Sequence, residues 1–132
     1  MILVIDDSPE DVFFHRRMIH RIDRDAVVKD FAYAEDALDF IADIAPTLIN
    51  LILLDINLPR ISGFQFLDHY ADLCVDDCTP KIYVMSGSID PKDREAATAS
   101  PQVAAYLPKP LQYDVMQEVI RNARLPGVLQ RT

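Results

Sequence analysis

The chain has 132 residues, half of them hydrophobic, which fits one domain with its own core and leaves little room for a second. No apolar run approaches the roughly 18–20 residues of a membrane span, and Met1 leads into Ile2–Ile5 without the basic stretch of a secretory signal. No membrane association and a cytoplasmic location are therefore expected. A formal net charge of −8 and a pI of about 4.6 repel a phosphate backbone, so no nucleic acid partner is expected.

Ile2–Ile5 reads as a buried parallel strand ending at Asp6 and Asp7. Ser8 suits an N-cap and Pro9 the first helical position. Phe14, Met18 and Ile22 recur every fourth residue and predict one apolar helix face. A second strand fits 27–32. A second helix fits about 35–45, with Ala37, Leu38, Ile41 and Ile44 inward and Pro46 just past its end. Leu51–Leu54 is the most hydrophobic strand and ends at Asp55. The loop 57–63 leads to a helix over about 64–73. A fourth strand spans 82–85 and ends at Ser86, and Asp90-Pro91 opens a short helix. The fifth strand, 103–107, ends near Lys109 and Pro110, and a last helix runs over about 112–123 with Val115, Met116, Val119 and Ile120 on one face. Strict alternation of five strands and five helices predicts an α/β fold, a parallel five-stranded sheet covered on both faces. The length fits the flavodoxin-like (βα)5 class with strand order 2-1-3-4-5. The expected domain spans 1–124, with 125–132 as a short tail.

The chemistry-bearing groups fall at strand C-terminal ends: Asp6 and Asp7, Asp55, Ser86 and Lys109. In open parallel sheets ligands bind at those ends, near the switch in strand order. Strands one and three are neighbours there, which brings Asp7 and Asp55 together. Three carboxylates in one crevice need a cation or shared protons to coexist. Oxygen-only ligands suit Mg²⁺. Lys109 offers a point charge to a phosphoryl group and Ser86 a hydroxyl donor. A carboxylate nucleophile such as Asp55 forms an aspartyl phosphate, and positioning plus charge stabilisation is most of what phosphoryl transfer asks. Each group alone is an ordinary cap or turn residue. Their order, one after another at strand ends, carries the reading.

With these residues the chain resembles the receiver domains of two-component response regulators over Ile2 to about Arg124. The matching stretches are Val4-Ile5-Asp6-Asp7, Leu53 to Pro59 with Gly63, Met85-Ser86-Gly87 and Tyr106 to Pro110. The resemblance implies that Asp55 accepts the phosphoryl group from a histidine kinase or histidine phosphotransfer protein. It implies that Asp7 binds Mg²⁺ directly beside Asp55, Asp6 through water, and Asn57 through its backbone carbonyl. Ser86 resembles the hydroxyl residue that swings towards the phosphoryl group, Lys109 the lysine that pairs with it, and Tyr106 the aromatic switch that turns inward. Lys109-Pro110 resembles the family's cis peptide, plausible only because proline follows. The implied output face is the fourth helix, fifth strand and fifth helix, roughly 91–123, through which a downstream protein or a second copy would bind. Ser62 stands where the family often has Asp, and Ser86 where Thr is commoner.

Only 125–132 follow the last helix, so the output is expected to be a protein contact. An aspartyl-phosphate hydrolase of the haloacid-dehalogenase type needs a second Asp two positions after Asp6, where Ser8 stands. A flavodoxin relative needs a hydroxyl-rich phosphate loop where Asp6 and Asp7 stand. Cys74 and Cys78 read as ordinary thiols, since no second cysteine pair exists and His69 is isolated. His15 reads as lying on the flank of the apolar face of the first helix, not as a phosphorelay histidine.

Overall fold

The computed structural model describes residues 1–73, 81–88 and 90–123, the side chain of Lys81 excepted. Both cysteines and the expected tail lie outside the described residues. The strands are β1 (Ile2–Ile5), β2 (Val28–Phe31), β3 (Leu51–Asp55), β4 (Lys81–Ser86) and β5 (Val103–Pro108). They alternate with α1 (Pro9–Ile22), α2 (Ala34–Ala42), α3 (Gly63–Leu73), α4 (Pro91–Thr98) and α5 (Tyr113–Asn122). The sheet is parallel, in the order β2-β1-β3-β4-β5, the flavodoxin-like arrangement expected.

Side chains of a strand alternate between faces, and here both faces are buried. Leu3, Ile5, Ile52, Leu54, Ile82 and Val84 join Ala37, Ile41, Phe66 and Tyr70 of α2 and α3. Ile2, Val4, Leu51, Leu53, Tyr83 and Met85 join Met18, Ile19, Met116, Val119 and Ile120 of α1 and α5. This explains why β1 and β3 read as unbroken apolar runs, while β2, with only Val28 buried, carries Lys29 and Asp30 outward.

The caps follow the residues. Ser8 Oγ accepts from the Asp11 N–H at 3.3 Å, and Asp90 Oδ1 accepts from the Lys92 N–H at 2.9 Å, with Pro91 next. Helix α2 ends earlier than its apolar spacing suggests, at Ala42. Pro46 forces Ala45 into extended backbone, and a short 3-10 turn, Pro46–Leu48, takes over.

Two expectations for α1 are corrected. Phe14 is 45% exposed and does not join Met18 on an inward face. His15 is not on the flank but fully buried, with Ile19 one turn on. The spacing of 14, 18 and 22 holds at Met18, in the core, and at Ile22, packed against it, and fails at Phe14, because the His15 imidazole fills the inward place that apolarity alone assigns to a hydrocarbon.

Burial, opposed by Asp11, lowers the pKa of His15 below its ordinary 6.5. The unfolded chain then binds more protons than the folded one, so the stability His15 contributes is full above pH 6.5 and falls as the pH drops below it. The urea midpoint should therefore fall between about pH 7.5 and about pH 5.5, and fall less in His15→Gln. Equal slopes would assign the pH dependence to other groups.

Candidate functional site

Ile5 pairs with Leu54, so the residues that follow them, Asp6 and Asp55, emerge side by side at the C-terminal edge of the sheet. Both continue the alternating series that faces α1 and α5. Carboxylate oxygens of Asp6, Asp7 and Asp55 lie within 4.8 Å of one another. Asp6 and Asp55 are buried and Asp7 is exposed. Lys109, just past β5, reaches across β4 to the same point: its Nζ lies 2.9 Å from Asp6 Oδ2 and 2.9 Å from Asp55 Oδ2.

The backbone holds the acids in place. The Ser8 N–H donates to Asp6 Oδ1 and the Asn57 N–H to Asp55 Oδ1, each at 2.9 Å. Burial raises the pKa of Asp6, although the Ser8 N–H and Lys109 pull against it. Lys109 shows the reverse balance. Burial favours its neutral form, but hydrogen bonds to Asp11, Asp55 and Asp6 outweigh that and hold it firmly protonated. An ammonium thus stands where a cation among acids is needed, and the donor set, carboxylates alone, fits a hard divalent ion such as Mg²⁺.

Ser86 and Tyr106 occupy the other face of the sheet. Ser86, almost fully buried, donates from Oγ to the Ser88 carbonyl at 2.6 Å and accepts from the Ser88 N–H at 3.1 Å. Its hydroxyl is occupied by its own loop. Tyr106 is opposite Val84 and 3% exposed, packed in the core with its hydroxyl unpartnered among the described residues. Its ring already lies inward. The Lys109–Pro110 peptide is cis. The Asn57 side chain is exposed, and its structural contact is the backbone bond to Asp55.

The loop from Asn57 to Gly63 closes by a close approach. The Gly63 N–H donates to the Ile56 carbonyl at 3.0 Å, and a Cβ on Gly63 would come within 2.7 Å of Ile56 Cα. Gly63→Ala should therefore cost about 1–3 kcal/mol through backbone displacement next to Asp55, read as a lower urea midpoint. An unchanged midpoint would show that the loop yields freely.

Sequence reasoning missed two residues. Asp11 Oδ2 lies 2.8 Å from Lys109 Nζ, and His15 Nε2 accepts from the Leu111 N–H at 3.2 Å. Both sit on α1, and an acid in a first helical turn ordinarily signals only the helix dipole.

The family model described as the response regulator receiver domain matches residues 2–121. A two-component response regulator from Cytophaga hutchinsonii has a similar structure, with TM-score 0.82 at 24% identity over 92% of this chain and 94% of that one. A two-component response regulator from Legionella pneumophila gives 0.80 at 25% over 93% and 96%. A response regulator receiver protein from Dyadobacter fermentans gives 0.78 at 26% over 92% and 95%. No curated protein matches. No helix among the described residues is long and apolar enough to cross a membrane.

Proposed function

The chain belongs to the response regulator receiver family, and we propose that it is a cytoplasmic signalling switch whose Asp55 takes a phosphoryl group from a histidine kinase or a histidine phosphotransfer protein. The observation that carries this reading is the meeting of Asp6, Asp7, Asp55 and Lys109 at one sheet edge. An Asp55 carboxylate oxygen attacks phosphorus, the bond from phosphorus to the donor imidazole nitrogen breaks with its electron pair staying on that nitrogen, and the ring, which already carries a proton on its other nitrogen, leaves as neutral imidazole. Asp6, Asp7, Asp55 and the Asn57 carbonyl would hold Mg²⁺, which supplies charge neutralisation at the transferring oxygens. Lys109 adds its fixed positive charge.

Ser86 then exchanges its bond to the Ser88 carbonyl for one to a phosphoryl oxygen. Tyr106, packed on the same sheet face, responds to the space this opens. Together they alter the surface formed by α4, β5 and α5, where a downstream protein or a second copy binds. The chemistry consists of acquiring and losing the phosphoryl group. It is not turnover of a separate substrate.

Intact-protein mass after incubation with acetyl phosphate tests the reading. One phosphoryl adduct is expected with Mg²⁺ and none with chelator. A folded, Mg²⁺-binding protein that forms no adduct would indicate a receiver that binds partners without switching.

A further inference from the structure

Lys109 is held by one carboxylate more than the acidic cluster supplies. Its Nζ meets Asp11 Oδ2 at 2.8 Å as well as Asp6 and Asp55. Of the three N–H donors of an ammonium, two bond Asp6 and Asp55, and Asp11 is its third close anion. Asp6 and Asp55 also belong to the cluster with Asp7. Asp11 lies outside that cluster: it projects from the first turn of α1, its side chain 36% exposed. The hydrogen bond from Lys109 is the main reason its carboxyl lies below the ordinary range.

One turn further along α1, His15 accepts from the Leu111 N–H. Two residues four apart on the helix thus grip Lys109 and Leu111, on either side of Pro110. The grip is independent of the acidic cluster, and the buried His15 ring fixes the position of α1 against this turn.

We propose that Asp11 is a positioning residue, which keeps the Lys109 ammonium beside Asp55 when Asp6 and Asp55 turn towards a divalent cation. The inference rests on the reading that the cluster takes such a cation. A carboxylate oxygen that faces a cation is less available to the lysine. With Asp11 present, the ammonium keeps one anion of its own and yields the other two. Without it, Lys109 contests Asp6 and Asp55 more strongly, and its head is no longer fixed where a phosphoryl oxygen arrives.

The test is a double-mutant cycle on Mg²⁺ affinity by calorimetry, with adduct formation at saturating Mg²⁺ followed in parallel. The proteins are wild type, Asp11→Asn, Asp11→Glu, Lys109→Met and Asp11→Asn with Lys109→Met. Methionine keeps the aliphatic stem, and circular dichroism checks folding.

Asp11→Asn should weaken Mg²⁺ binding about fivefold and slow adduct formation comparably, the scale of one partly exposed ion pair. Asp11→Glu should stay within about twofold of wild type, and in Lys109→Met the Asn substitution should cost less than about twofold. An equal loss in both backgrounds would overturn the inference, because Asp11 would then act as one more negative charge near the cation. Absence of Mg²⁺ binding to wild type would overturn it too. A wild-type protein that binds Mg²⁺ and forms no adduct would sink the phosphoacceptor reading, while the affinity cycle would still decide the role of Asp11.

Discussion

Asp55→Asn should remain folded and take up phosphoryl groups at least about a thousandfold more slowly, the scale on which removing a nucleophile acts. The amide is nearly isosteric with the carboxylate and keeps the oxygen that accepts the Asn57 N–H. It loses the anionic oxygen that attacks phosphorus. It also removes a negative charge from beside buried Asp6, so stability should hold or rise. Intact mass and thermal unfolding read the two effects separately. An adduct on the variant at the wild-type rate would move the acceptor elsewhere. Loss of most secondary structure would make Asp55 a structural residue.

Lys109→Ala should cost about 2–3 kcal/mol in the metal-free protein. Removing one partner of a fully buried ion pair costs about 3–5 kcal/mol. The figure here is smaller because the Lys109 side chain is 12% exposed and Asp11 lies open to water. The loss should shrink in acid. Asp6 already has a raised pKa and would be raised further without the lysine, so the strain of its ionised form is present above its folded pKa and relieved below it. Mg²⁺ should stabilise this variant more than wild type. Any adduct it still forms should no longer change partner binding. Urea titrations at neutral and acidic pH, with and without Mg²⁺, check the first three statements. A variant as stable as wild type without Mg²⁺ would show that water screens Asp6 and Asp55 well enough alone.

The sheet and the acid cluster were legible for the same reason. A parallel strand buried on both faces must be an unbroken apolar run, and the first polar residue after it marks the edge where ligands bind. Ile2–Ile5 followed by Asp6, and Leu51–Leu54 followed by Asp55, show strand and site edge in one stretch. Helix α1 was harder. Its inward side contains His15, which hydropathy spacing discounts, while Phe14 fits the spacing and faces out. Asp11 was invisible because its partner is Lys109, and only the approach of α1 to the end of β5 brings the two together. The position of Tyr106 depends on packing against Val84 and its neighbours, so a motif names the residue without telling which way its ring lies.

The central claim, that Asp55 is the acceptor, is tested most directly by trapping. The protein is incubated with acetyl phosphate and Mg²⁺, treated with borohydride and mapped by peptide mass spectrometry. Borohydride reduces an aspartyl phosphate to homoserine and leaves a free carboxylate unchanged. The account predicts homoserine at position 55, absent with chelator. Homoserine at another aspartate, or a phosphoryl group on a residue that resists borohydride, would contradict it.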